Sequence, residues 1–167
     1  MAPAQTSLLA KLDTQERVRD FLTNAVASGR ASHAYLFLGA PGAGKLDAAW
    51  ALAQAFLCEQ DGCGSCDSCV RVARHTHPDV HYYTPESATG YLIAQTRELL
   101  DDVPLAPIRA KAKVYIIDRA EQLRANTANA LLKTLEEPPE GVMFILLGTS
   151  ADVMLPCLLY TSDAADE

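Results

Sequence analysis

The chain has 167 residues, 49% of them apolar, with 21 acidic against 14 basic side chains and a net charge of −7. That length and apolar share suit one α/β-sized domain with a substantial core, while the acidic balance argues against a surface that grips nucleic acid by itself. No apolar run approaches the roughly 20 residues of a membrane span and the start lacks a basic-then-apolar leader, so a cytoplasmic protein with no membrane attachment is expected. It can still act on DNA inside a larger assembly.

In chain order, a first helix is expected to start near Asp13 or Thr14, either a good cap. Val18, Phe21, Leu22, Ala25 and Val26 give it an apolar stripe, and Gly29 ends it. Residues 34–38, Ala-Tyr-Leu-Phe-Leu, read as a short strand. They run into Gly39-Ala40-Pro41-Gly42-Ala43-Gly44-Lys45, after which Leu46, Ala49, Trp50, Ala53 and Phe56 recur at helical spacing. Strand, glycine loop and helix in that order make a phosphate-binding loop, whose amides and helix N-terminus cradle phosphates. Gly39, Gly42, Gly44 and Lys45 are therefore candidate nucleotide-binding residues, with ATP as a candidate, weakly held ligand. The next residue is Leu46, where such loops carry a Ser or Thr hydroxyl that holds Mg²⁺. Leucine has no oxygen to give.

Cys58, Cys63, Cys66 and Cys69 follow as C-x4-C-x2-C-x2-C, with Gly62 and Gly64 permitting tight turns. In a cytosolic chain this density points to metal rather than disulfides. Four thiolates can close a tetrahedral shell around a structural Zn²⁺ with no open position. Iron–sulfur ligation is also open to four cysteines, but a tight knuckle beside a nucleotide loop favours zinc. His75, His77 and His81 are expected to be surface or strand residues, since the sulfurs complete the shell.

Residues 80–83 read as a strand, and a helix carrying Ile93, Thr96, Leu99 and Leu100 should stop before Pro104. Residues 114–118, Val-Tyr-Ile-Ile-Asp, form an apolar run ending in an acid, as in a buried parallel strand. Residues 126–137 are expected to be helical, closed by Pro138-Pro139, and residues 142–147 form another buried strand. Alternating strands and helices imply an α/β fold with a parallel sheet flanked by helices. Asp118 fits the strand-end acid that positions Mg²⁺ in phosphate-loop ATPases. Hydrolysis in ring ATPases also needs a neighbouring carboxylate to deprotonate water, but the neighbour is Arg119. Glu121, two positions further, is expected to face solvent or cap the next helix.

The phosphate loop, the four-cysteine insertion, His77-Pro78-Asp79, the strand ending at Asp118 and above all Asn129-Ala130-Leu131-Leu132-Lys133-Thr134-Leu135-Glu136-Glu137-Pro138-Pro139 resemble bacterial clamp-loader subunits. That family comprises the delta-prime and gamma/tau subunits of DNA polymerase III, which share an AAA+ core. The resemblance implies a ring with gamma/tau and delta subunits that opens the sliding clamp and places it on primed DNA. Because Leu46 and Arg119 depart from the gamma/tau motor pattern, it favours the delta-prime type, a structural and regulatory subunit with a degenerate ATPase site. An active gamma/tau-type ATPase is the alternative. The resemblance further implies that Glu136 and Glu137 lie near a neighbour's nucleotide site.

Residues 1–156 are expected to form a partial AAA+ domain with the zinc module inserted at 58–69. Residues 157–167 resemble the translation of a sequencing-library adapter and are expected to be non-native. The arginine finger, lid and collar domains of the family would then be missing.

Overall fold

The computed structural model describes residues 7–13 and 15–150. The elements are α1 (Glu16–Ala27), β1 (Ala34–Leu38), α2 (Lys45–Leu57), α3 (Asp67–Ala73), β2 (Val80–Tyr83), α4 (Ile93–Asp102), β3 (Lys113–Ile117), α5 (Ala125–Glu136) and β4 (Val142–Gly148). The four strands form one sheet in the order β1-β4-β3-β2, and every neighbouring pair is parallel.

Sequence alternation in the central strands divides the core into two layers. Val114, Ile116, Met143, Ile145 and Leu147 pack with α1, α2 and Val72 of α3 on one face. Tyr115, Ile117, Phe144 and Leu146 pack with Leu99 of α4 and Leu131 of α5 on the other. Side chains on successive strand residues point to opposite faces, so a strand covered on both sides must be apolar throughout. Every residue of β3 and β4 is buried. The resulting three-layer arrangement is the α/β fold expected from the sequence.

Helix α2 lies inside rather than on the surface, with eight consecutive buried residues from Ala48 to Ala55. Its one buried polar residue in that run, Gln54, accepts from the Leu8 amide at 2.8 Å and donates to the Cys69 carbonyl at 3.0 Å. A buried amide must be satisfied in this way, and here it fastens the N-terminal segment and the cysteine module to the central helix.

Helix α1 begins later than expected, at Glu16, with Gln15 in the cap position and no side-chain cap bond. A 3₁₀ turn at Leu9–Lys11, with Leu9 and Leu12 buried, holds the preceding chain. Asp13 therefore does not cap the helix, and Thr14 lies outside the described residues. The Gln15 side chain donates instead to the Ala43 carbonyl of the glycine loop at 3.3 Å. Phe21 is also corrected, being 64% exposed. It falls about 100° from Leu22 around the helix, away from the Leu22–Val26 line that is buried. The C-terminus is as expected: Gly29, at φ 70°, donates to Val26 and Arg30 donates to Ala25, the paired bonds of a Schellman end.

Among the described residues, no helix is long and apolar enough to cross a membrane.

Candidate functional site

Three chain segments meet at the carboxyl ends of the strands, the place where open parallel sheets bind ligands. They are the glycine loop after β1, Asp118-Arg119 after β3, and Gly148-Thr149 at the end of β4. Members of each segment, together with Leu46, Asp47 and Leu147, line a cavity of about 400 Å³.

The loop geometry explains its glycines. Gly42 and Gly44 have φ of 83° and 89°, a left-handed backbone that side chains disfavour. Gly44 is the N-cap of α2, so the amides that follow it open toward the cavity with the positive end of a 13-residue helix. Gly39 is needed for space: a Cβ there would sit 3.1 Å from the Ala43 Cβ. Lys45 Nζ donates to the carbonyl oxygens of Gly39 at 2.5 Å and Gly148 at 2.9 Å.

Asp118 stands just beyond β3, with its amide bonded to the Tyr83 carbonyl at 2.8 Å. Its carboxylate already has partners. Oδ2 accepts from the Tyr82 hydroxyl at 3.0 Å, and Oδ1 accepts from the Arg119 amide at 2.9 Å. Arg119 has φ of 46° and its guanidinium reaches Thr84 Oγ1 at 3.4 Å. Leu46 lines the same cavity with carbon only. These residues fit phosphates through Lys45 and the loop amides. They fit Mg²⁺ less well, because the hydroxyl ligand is missing and each oxygen of the strand-end acid already accepts one hydrogen bond.

Glu121 corrects an expectation. It neither faces solvent nor caps α5, whose N-cap is Arg124 without a side-chain bond. It sits half-buried in a 3₁₀ turn at Ala120–Gln122, and its Oε2 is buried without a hydrogen bond among the described residues. The turn follows directly from the left-handed Arg119, which swings the chain off the strand line. Glu121 is absent from the cavity lining. Two residues of this region escaped the sequence reading. Thr149 borders the cavity because β4 lies between β1 and β3, and Tyr82 reaches Asp118 because β2 pairs with β3. Parallel pairing of residues 80–83 with 114–117 was the available signal for Tyr82.

The second site is the cysteine module. The four sulfur atoms of Cys58, Cys63, Cys66 and Cys69 all lie within 4.8 Å of one another. A tetrahedral Zn–S shell with bonds near 2.3 Å has sulfurs about 3.8 Å apart, so the donor set is close to that geometry. Backbone amides already point at sulfur: Gln60 and Cys63 to Cys58 at 3.3 and 3.4 Å, Cys66 to Cys63 and Cys69 to Cys66 each at 3.4 Å. Such donors favour thiolates. The Ser65 amide and hydroxyl, with the Cys66 amide, bring the Cys63 thiol down to about 6, whereas burial pushes Cys66 and Cys69 up. The cluster can hold a metal ion. Gly62 and Gly64 make their turns at φ of 96° and 81°. At Gly62 a Cβ would press to 3.3 Å from the Ala55 Cα, so the module sits directly on α2. Cys66 caps the short helix α3 by accepting from the Cys69 amide, an element the cysteine spacing did not announce.

The histidines lie outside that shell but are not all surface residues. His75 stacks on Trp50 with ring centroids 3.9 Å apart. His81 lies 3.2 Å from Asp102 Oδ2. His77, contrary to expectation, is buried: its Nδ1 accepts from the Asp79 amide at 3.0 Å and its Nε2 meets Ser68 Oγ at 3.2 Å. Asp79 is fully buried and accepts from the amides of Ile108, Arg109 and Ala110 at 2.6, 2.7 and 2.7 Å. Burial disfavours its charge, but those three amides more than offset this and hold the carboxyl below its usual range. His77-Pro78-Asp79 thus ties the module to the segment entering β3.

A parallel sheet carrying a phosphate loop at one strand end and an acid at the next-but-one defines a P-loop nucleotide-binding domain of the AAA+ class. A model of the family described as DNA polymerase III, delta subunit matches residues 14–159. The chain belongs to that family of clamp-loader subunits. It is 39% identical over 150 residues to DNA polymerase III subunit delta′ of Bacillus subtilis, covering 88% of this chain and 45% of the relative. It is 40% identical over 161 residues to subunit tau of Escherichia coli, covering 91% and 25%. With subunit gamma/tau of Mycobacterium tuberculosis it shares 37% over 153 residues, covering 89% and 26%. The chain spans less than half the length of each. A DNA polymerase III gamma subunit-related protein of Thermotoga maritima has the same fold, with a TM-score of 0.58 at 19% identity over 85% of this chain and 43% of that one.

Proposed function

We propose that this chain supplies the nucleotide-fold domain of a delta-prime-type clamp-loader subunit, residues 1–156 with the module at 58–69. In this reading it is a structural and regulatory member of a ring with delta and gamma/tau subunits that loads the sliding clamp onto primed DNA. Similar identities to delta′ and tau relatives favour neither subunit. The observation that carries the choice is the pair Leu46 and Arg119 beside one cavity. One removes the hydroxyl ligand for Mg²⁺, and the other puts a cation where a water-activating carboxylate is required. Lys45 and the loop amides retain phosphate-binding chemistry, so weak ATP binding without turnover is the expected state. The cysteine module is read as a structural zinc site, since four sulfurs leave no position for a substrate.

Two assays on the full-length protein test this reading. Co-purification with gamma/tau and delta subunits tests ring membership, and its failure would remove the protein from the clamp loader. Steady ATP hydrolysis abolished by Lys45→Ala would instead assign it to the gamma/tau type.

A further inference from the structure

We propose that the cavity between the glycine loop and the end of β3 takes a diphosphate-bearing ligand without a divalent cation, with the Arg119 guanidinium supplying the charge. This rests on the reading that the loop still holds phosphates, and it specifies how.

A magnesium ion demands near-octahedral oxygen ligation and gives up its waters reluctantly. The cavity is poorly equipped to hold one. Position 46 offers no oxygen, and the two oxygens of Asp118 accept from the Tyr82 hydroxyl at 3.0 Å and the Arg119 amide at 2.9 Å. Asp47 and Thr149 are the remaining oxygen-bearing side chains of the lining. Asp47 lies in the first turn of α2, where its charge is balanced by the helix N-terminus.

The cations are Lys45 and Arg119, both in the lining. Lys45 is parked on two backbone carbonyls, of Gly39 and Gly148, and can exchange these neutral acceptors for phosphate oxygen. Arg119 is exposed, and its guanidinium makes one contact of 3.4 Å, to Thr84. Its left-handed backbone, φ 46°, is disfavoured for arginine, yet the Tyr82–Asp118–Arg119 bonds hold it there. A guanidinium is a planar fork of donors that matches phosphate oxygens in pairs and never loses its charge. One loop lysine and one forked arginine, with the loop amides, can therefore offset part of a diphosphate's charge where a metal-dependent site would use lysine and Mg²⁺.

Isothermal titration of the full-length protein with ADP and with pyrophosphate, in excess EDTA and in Mg²⁺, tests this. Both ligands are expected to bind in EDTA at least as tightly as in Mg²⁺, which complexes the free diphosphate and competes with the site. Arg119→Ala should weaken binding about tenfold or more in both, with partial recovery in Arg119→Lys. Melting curves of each variant establish that the fold is intact. The double variant Leu46→Thr, Arg119→Asp supplies the hydroxyl ligand, removes the guanidinium and should make ADP binding depend on Mg²⁺. Wild-type binding that is lost on chelation, or that is unchanged in Arg119→Ala, overturns the inference while leaving the phosphate loop standing. No binding of either ligand in either buffer overturns the phosphate-loop reading as well.

Discussion

Lys45 Nζ donates to the carbonyl oxygen of Gly148 at 2.9 Å, joining the loop after β1 to the last residue of β4 across 103 positions of sequence. The same carbonyl accepts from the Gly39 amide at 3.2 Å, so the strand ends stay bonded if the lysine leaves. The contact places the ammonium at the cavity and costs little to break.

Replacing Lys45 with Ala should therefore leave the fold intact but remove a charge-assisted phosphate contact worth roughly 1.5–3 kcal/mol. In calorimetry of the full-length protein, ADP affinity should fall about ten- to hundredfold. Unaltered affinity would show that phosphate is held elsewhere.

The cysteine module should carry about one zinc per chain, measured by metal analysis after purification without chelators. Cys63→Ser or Cys66→Ser should weaken retention of the ion with little damage to the core, because these two cysteines are partly exposed while Cys58 and Cys69 are buried. Stripping the metal should lower the melting temperature, since metal affinity is coupled to folding. Metal-free protein with an unchanged melting curve would refute the site.

Asp79 should matter more for stability than any other carboxylate here. Asp79→Asn replaces one acceptor oxygen with an amino group, leaves at least one of the three backbone amides without an acceptor and should cost roughly 1–3 kcal/mol in urea unfolding. Its pKa is lowered in the fold, as is that of Asp102, where the Tyr115 hydroxyl, His81 and Lys113 outweigh burial. Groups with depressed folded pKa values stabilise above the unfolded value, 3.8 for both, and lose that contribution as pH falls through the folded value. Stability should drop as pH is lowered below about 4, and Asp79→Asn should flatten part of that slope. A variant with an unchanged acid limb would contradict the assignment.

Much of this was legible in the sequence, and the reasons differ from element to element. Strands β3 and β4 announced themselves because burial on both faces requires an unbroken apolar run. The glycine loop did so because left-handed turns at Gly42 and Gly44 restrict residue choice. What was illegible depends on partners remote in sequence. Tyr82 meets Asp118 from 36 positions away, and Asp79 caps a loop near residue 109. Gln54 looks like an ordinary polar residue until the Leu8 amide and the Cys69 carbonyl enclose it. Helix α3 was hidden because its cap Cys66 and its Cys69 read first as a metal-ligand spacing.

On α5, Leu131 is buried and Leu135 half-buried against the Tyr115 face of the sheet, whereas Lys133, Glu136 and Glu137 are exposed. Reversing both glutamates to lysine in the full-length protein should weaken ring assembly or a neighbour's ATPase, with a melting temperature within about 2 °C of the parent. Normal assembly and neighbour ATPase would reduce this face to a solvated surface.

Steady-state ATP hydrolysis by the full-length protein decides whether the nucleotide site turns over. Phosphate release in Mg²⁺ should be indistinguishable between the parent and Lys45→Ala. Turnover well above background in the parent and absent from Lys45→Ala would contradict this expectation.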